Sequence, residues 1–171
     1  MNDHPDATPP PSGPIAPDLG SDNLLRIVPV AQQQQVGDVS LLIYSLELYT
    51  TGFLAVVRLS WTGDTGGLPR LTWTGQDDRG TIFSHAGCGG SGGGRPPDCF
   101  SWRLGCTFGS PIPADATQLD LSATALGFLT VAGADEQQQP RLERTRTITG
   151  PWQFQIPLGD HTTPNQAQTG T

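Results

Sequence analysis

Apolar and polar residues alternate along much of this chain with a period of two. Phe53, Ala55, Val57, Leu59 and Trp61 are separated by Leu54, Val56, Arg58 and Ser60. Trp102, Leu104, Cys106 and Phe108 interleave with Arg103, Gly105 and Thr107. The same alternation joins Leu119, Leu121, Ala123 and Ala125 to Asp120, Ser122 and Thr124, and Trp152, Phe154 and Ile156 to Gln153 and Gln155. Neighbouring side chains on a strand point to opposite faces, so each run predicts a strand with one face turned inward. In "VSLLIYSLELY", 39–49, the apolar set moves from Val39, Leu41 and Ile43 to Leu46 and Leu48. That shift calls for a bulge near Tyr44 or for burial of both faces. The predicted strands are 24–31, 37–49, 53–61, 69–76, 80–84, 100–108, 117–128 and 152–157. No long stretch carries the helical period with caps.

The connections read as turns. "YTTGF", 49–53, predicts a tight hairpin with Gly52 at positive φ. "LSWTG" (59–63) and "LTWTG" (71–75) read as mirror arms of a hairpin centred near Gly67, with Trp61 across from Trp73. The glutamines at 32–35 and "DEQQQP" at 135–140 are expected in loops. Residues 1–23 hold six prolines and almost no large apolar side chain. Such a segment cannot offset its ordering entropy and is expected to be disordered, as is the tail from Gly159. A folded domain over 24–158 remains, expected to be an all-β, antiparallel β-sandwich of about 7–8 strands.

Three stretches carry a resemblance: "RIVPVAQQQQVGDVSLLIYSLELYTTGFLAVVRLSW" (26–61), "DDRGTIF" (77–83) and "FGSPIPADATQLDLSATAL" (108–126). In this order they resemble small immunoglobulin-like β-sandwich domains of bacteria. Those occur as stand-alone proteins of unassigned function, as lipoprotein-like domains, and at the C-terminal end of some anti-sigma factors. The resemblance implies no catalytic residues. The chain lacks the membrane helix and the zinc-binding N-terminal module of the anti-sigma type, so a sigma-factor role does not follow.

Charge narrows the partners. The net charge is −7, but Asp3, Asp6, Asp18 and Asp22 lie in the first segment without a basic residue. The body, with 11 acids against 9 arginines, is nearly neutral. A nucleic-acid footprint needs a basic stripe, and a membrane patch needs clustered cations; neither is present. No lysine occurs, which excludes Schiff-base and phosphate-loop lysine chemistry. No apolar run reaches the roughly 20 residues that span a bilayer. The N-terminus lacks the basic start and apolar stretch of a signal peptide, so the expectation is a cytoplasmic chain.

Candidate chemistry concentrates in "DDRGTIFSHAGCGGSGGGRPPDC", 77–99. "GCGGSG" formally fits a dinucleotide-binding turn, but the prolines that follow forbid the helix such a site needs. "GGSGG" fits a nucleophile elbow around Ser91, with His85 or His161 as nominal bases, yet a glycine run stores none of the required strain. His85, Cys88, Cys99 and Cys106 form an admissible zinc set with loose spacing. Cys106 lies on an inward position and reads as a small core residue, while Cys88 and Cys99 flank the segment and could form a disulfide. Reduced thiols, that bridge and a metal site all stay open at this point. "DDRGT" reads as a turn, Glu47 as a solvated strand residue, and all four tryptophans as core. The whole predicts a non-catalytic module without a cofactor whose partner is another protein, contacted through loops at 84–99 and 130–150. The alternative is a small metal- or ligand-binding domain using His85, Cys88, Cys99 and Cys106.

Overall fold

The computed structural model describes residues 23–63, 67–94, 99–134 and 140–159. Residues 1–22 of the expected arm (1–23), the tail from 160, and residues 64–66, 95–98 and 135–139 lie outside the described residues.

Eight strands follow in chain order: β1 (Leu24–Val36), β2 (Val39–Tyr49), β3 (Phe53–Thr62), β4 (Leu68–Asp77), β5 (Ile82–Gly93), β6 (Cys99–Phe108), β7 (Gln118–Ala134) and β8 (Pro140–Pro157). Every pairing is antiparallel, and the spatial order is β1-β2-β3-β6-β5-β4-β7-β8. The expected all-β antiparallel character holds. The expected separation into two sheets does not.

β5 is the reason. Its first residues, Ile82 to Ser84, pair with Gln76 to Thr74 of β4. After an irregularity between His85 and Gly87, the same strand pairs with β6. One strand therefore belongs to both halves and joins them into a single curled sheet. The ends of that sheet meet at β1 and β8, where Gln32 Nε2 donates to the Gln155 carbonyl at 2.8 Å. The result is a nearly closed, barrel-like sheet rather than a clear two-sheet sandwich, and its inner face is the core.

The alternation places that core. Val39, Leu41, Ile43, Leu46, Phe53, Ala55, Val57, Leu59, Leu119, Ala123, Trp152 and Ile156 are fully buried. The β2 register slips between Ile43 and Ser45, so the bulge expected near Tyr44 is present and Tyr44 turns outward. Burying a large apolar side chain contributes about 1.5–3 kcal/mol, so this lining is the main stabilising element.

The tryptophan hairpin is not formed. β3 pairs with β2 and β6, and β4 with β5 and β7, so Trp61 does not face Trp73. Trp61 stacks on Phe100 at 5.2 Å and 8°, and Trp73 lies 6.3 Å from Phe154. The two similar pentapeptides serve opposite halves of the sheet, and the link between them crosses over. Trp61, Trp73 and Trp152 are buried; Trp102 packs against the core and stays partly exposed.

Three expected loops are strands. Gln32 to Gln35 pair with Ile43 to Ser40, which is possible because strand pairing uses backbone groups and an edge strand tolerates polar side chains. The expected contact loops at 84–99 and 130–150 are replaced, over their described residues, by β5, β7 and β8. At the 49–53 turn, Tyr49 N–H donates to Gly52 O as a hairpin requires. Gly52 is not at positive φ; glycine is needed because a Cβ there would sit 2.2 Å from the Phe108 carbonyl oxygen.

Candidate functional site

The cysteines come together differently from the expected pairing. The β5–β6 register sets Cys88 opposite Cys106, and these two form the disulfide, with Cα atoms 4.1 Å apart. Cys99 sits opposite Thr62 of β3, exposed and free, with its thiol donating to the Phe100 carbonyl at 3.4 Å. The Cys88–Cys99 bridge is therefore corrected to Cys88–Cys106; Cys106 is the buried core residue expected and is also one half of that bond. Pairing could not be read from spacing, because two residues sharing one side of adjacent strands meet by register alone. Closing a loop of this size contributes about 3 kcal/mol by the entropic account.

His85 joins the two sulfurs. On a regular strand, residues three apart face opposite sides. Here Ala86 is the extra residue between His85↔Phe108 and Gly87↔Thr107, a bulge that restores His85 and Cys88 to one face. His85 Nε2 lies 3.3 Å from Cys88 Sγ, and the ring packs 5.6 Å from Phe108. Burial pushes the His85 imidazole below the usual histidine range, partly opposed by a hydrogen bond with the Gly87 backbone. His85, Cys88 and Cys106 each offer one donor atom, all within 4.8 Å of one another. The fourth expected ligand, Cys99, is not in that cluster.

The other motifs resolve into structure. Ser91 is an exposed residue within β5, opposite Arg103, on a strand that continues without an elbow. His85 lies six residues back along that strand, roughly 20 Å away, beyond proton-transfer reach. The glycine run lies within β5 up to Gly93, and among the described residues no helix follows it. "DDRGT" is a turn: Asp77 Oδ1 accepts from Arg79 N–H at 3.0 Å and Thr81 N–H at 2.8 Å, and Gly80 N–H donates to Asp77 O. Asp78 accepts from the Thr117 hydroxyl at 2.6 Å, which holds its carboxyl below the usual carboxylate range. Glu47 accepts from the Tyr49 hydroxyl at 2.7 Å.

A concavity that single-strand reading missed lies on the outer face of β5, β4, β7 and β8. It is an open groove of about 1040 Å³. Two cross-strand rows make its floor. Ile82, Gln76, Asp120 and Gln155 are successive register partners, and beside them run Thr74, Ser122 and Gln153. Gln32 and Gln34 of β1 close one side, where the curled sheet returns. Gln118 Nε2 donates to Asp120 Oδ1 at 2.8 Å and orients that carboxylate in the groove. Among the described residues no cation lines it, and the one aromatic residue there, Phe154, is 1% exposed. Asp120, Ser122, Gln153 and Gln155 read in sequence as ordinary outward strand positions, and Gln32 and Gln34 as loop; only the sheet order assembles them.

No protein-family model and no curated protein matches the chain. It is similar in structure to the conserved domain protein from Bacillus anthracis, with a TM-score of 0.51 and 12% sequence identity over 78% of this chain. The match covers 49% of that protein, so this chain spans about half its length. A likeness of that kind concerns the fold. Among the described residues no helix is long and apolar enough to cross a membrane.

Proposed function

We propose that this domain is a non-catalytic module that binds another protein, holding an extended polar segment of it in the groove over β5, β4, β7 and β8. The observation that carries this reading is the paired rows of amide and hydroxyl side chains along the groove floor. Glutamine presents both donors and acceptors, which suits a ligand that alternates the two, as a polypeptide backbone does. Among the described residues the groove carries no cation, which disfavours phosphate-rich ligands. It offers no exposed aromatic platform on which a sugar ring could stack, which favours a peptide over a glycan. Kinship with the immunoglobulin-like domains of bacteria fits the antiparallel all-β architecture and is part of this proposal. The Cys88–Cys106 bond supports an oxidising compartment over the cytoplasmic one expected from the sequence.

The test is selection of binding peptides from a displayed library against the full chain, with glycan arrays in parallel. Each lost hydrogen bond is worth about 0.5–1.5 kcal/mol, so the Gln76→Ala/Gln153→Ala/Gln155→Ala variant should weaken selected peptides about tenfold or more. Its Tm should stay near that of the wild type, since all three side chains are exposed. Peptides that bind both proteins equally, or saccharides that bind and are lost in the variant, would sink the reading.

A further inference from the structure

We propose that His85, Cys88 and Cys106 form a three-ligand Zn2+ site when the Cys88–Cys106 bond is reduced. The site is distinct from the outer groove: Cys106 is buried at the inner face, and Cys88 and His85 reach partial exposure beside it. Two observations carry it. The donor set is right, one imidazole nitrogen and two sulfurs within 4.8 Å of one another, and two thiolates with an imidazole suit zinc. The bulge at Ala86 is the second. Without it His85 would face away from Cys88, and with it His85 Nε2 stands 3.3 Å from Cys88 Sγ.

Tetrahedral zinc holds sulfur and nitrogen ligands about 3.5–3.8 Å apart, as follows from metal–ligand distances of about 2.0–2.3 Å. The His85–Cys88 separation is already near that value. The two sulfurs must move apart, which reduction permits. A phosphine reductant takes oxygen from water to become a phosphine oxide, and the disulfide gains two electrons and two protons to give two thiols. Zinc then displaces both thiol protons and binds the thiolates. Three protein ligands leave the fourth position to water, reached from the partly exposed Cys88 side. The same pair is thus a covalent staple under oxidising conditions and a ligand pair under reducing ones.

The experiment uses the full chain, reduced with a phosphine and titrated with Co2+ as an optical stand-in for Zn2+. The expected result is one equivalent bound, with a thiolate-to-cobalt absorption that Zn2+ bleaches and that unreduced protein does not give. Cys99→Ser should leave the titration unchanged. Cys88→Ser should abolish it, and His85→Asn should weaken binding at least tenfold while the thiolate band persists. Far-ultraviolet circular dichroism of each protein reports whether the sheet survives. The proposal is overturned if the reduced, folded chain gives no band, if His85→Asn binds as the wild type does, or if Cys99→Ser removes the band. A reduced chain that loses its β signal and does not regain it with Co2+ overturns it too.

Discussion

At the scale of single residues, the turn chemistry of "DDRGT" is among the most legible parts of this chain. Asp and Gly are the residues a reversal asks for, and Asp77 and Gly80 supply the expected hydrogen bonds. What sequence could not show is the partner of Asp78, because Thr117 is 39 positions away. That contact lowers the Asp78 carboxyl below its ordinary 3.8. A depressed carboxylate stabilises the fold above its unfolded value, and the contribution is lost as pH falls toward the folded value. Thermal unfolding of the wild type should therefore lose more between neutral pH and about pH 3 than Asp78→Asn does. The difference will be small, because Asp78 is exposed. Parallel Tm–pH curves for the two proteins would show that the contact does not persist in solution.

At the scale of elements, β5 is where sequence reasoning and structure part. Its glycines read as slack, yet they pair along β6. Strand propensity scales penalise glycine for entropy and missing side-chain contacts, so the segment carries no strand signal of its own. The β6 backbone explains why some of those positions are glycine. A Cβ at Gly90 would lie 2.0 Å from the Arg103 carbonyl oxygen, and at Gly92 2.2 Å from that of Ser101. At Gly89 a Cβ would meet nothing within 4 Å. Gly90→Ala should cost about 1–3 kcal/mol or more in urea unfolding, as overpacking does. Gly89→Ala should be neutral or stabilising by up to about 1 kcal/mol, through the unfolded chain. Equal effects at the two positions would mean that β5 does not lie against β6 as described. The stretches with a strong period of two, β3, β6 and residues 152–157 of β8, were by contrast legible, because alternation reports burial of one face directly.

At the scale of the whole molecule, closure of the sheet decides where the site lies. Gln32 bonds across the seam to Gln155, and Gln32 and Gln34 become one wall of the groove. Gln32→Ala should lower stability by about 0.5–1.5 kcal/mol, the net worth of one such bond. It should also speed amide exchange along the facing edges of β1 and β8, whereas Gln34→Ala should do neither. Unchanged exchange in Gln32→Ala would show that this bond does not hold the seam. The sequence by itself determined the all-β class, the central positions of most strands and the inward face of β3, of β6 and of the last part of β8, and it left a bulge near Tyr44 as one of two readings of β2. These follow from local alternation, which needs no knowledge of neighbours. Tertiary structure alone decided which strands are adjacent, that β5 serves both halves, which cysteines bond, and which outward side chains share a groove. Those are matters of register between segments far apart in the chain, and the physical reason is simple: any greasy strand face can satisfy any other, so burial specifies which side points in but not which strand lies alongside.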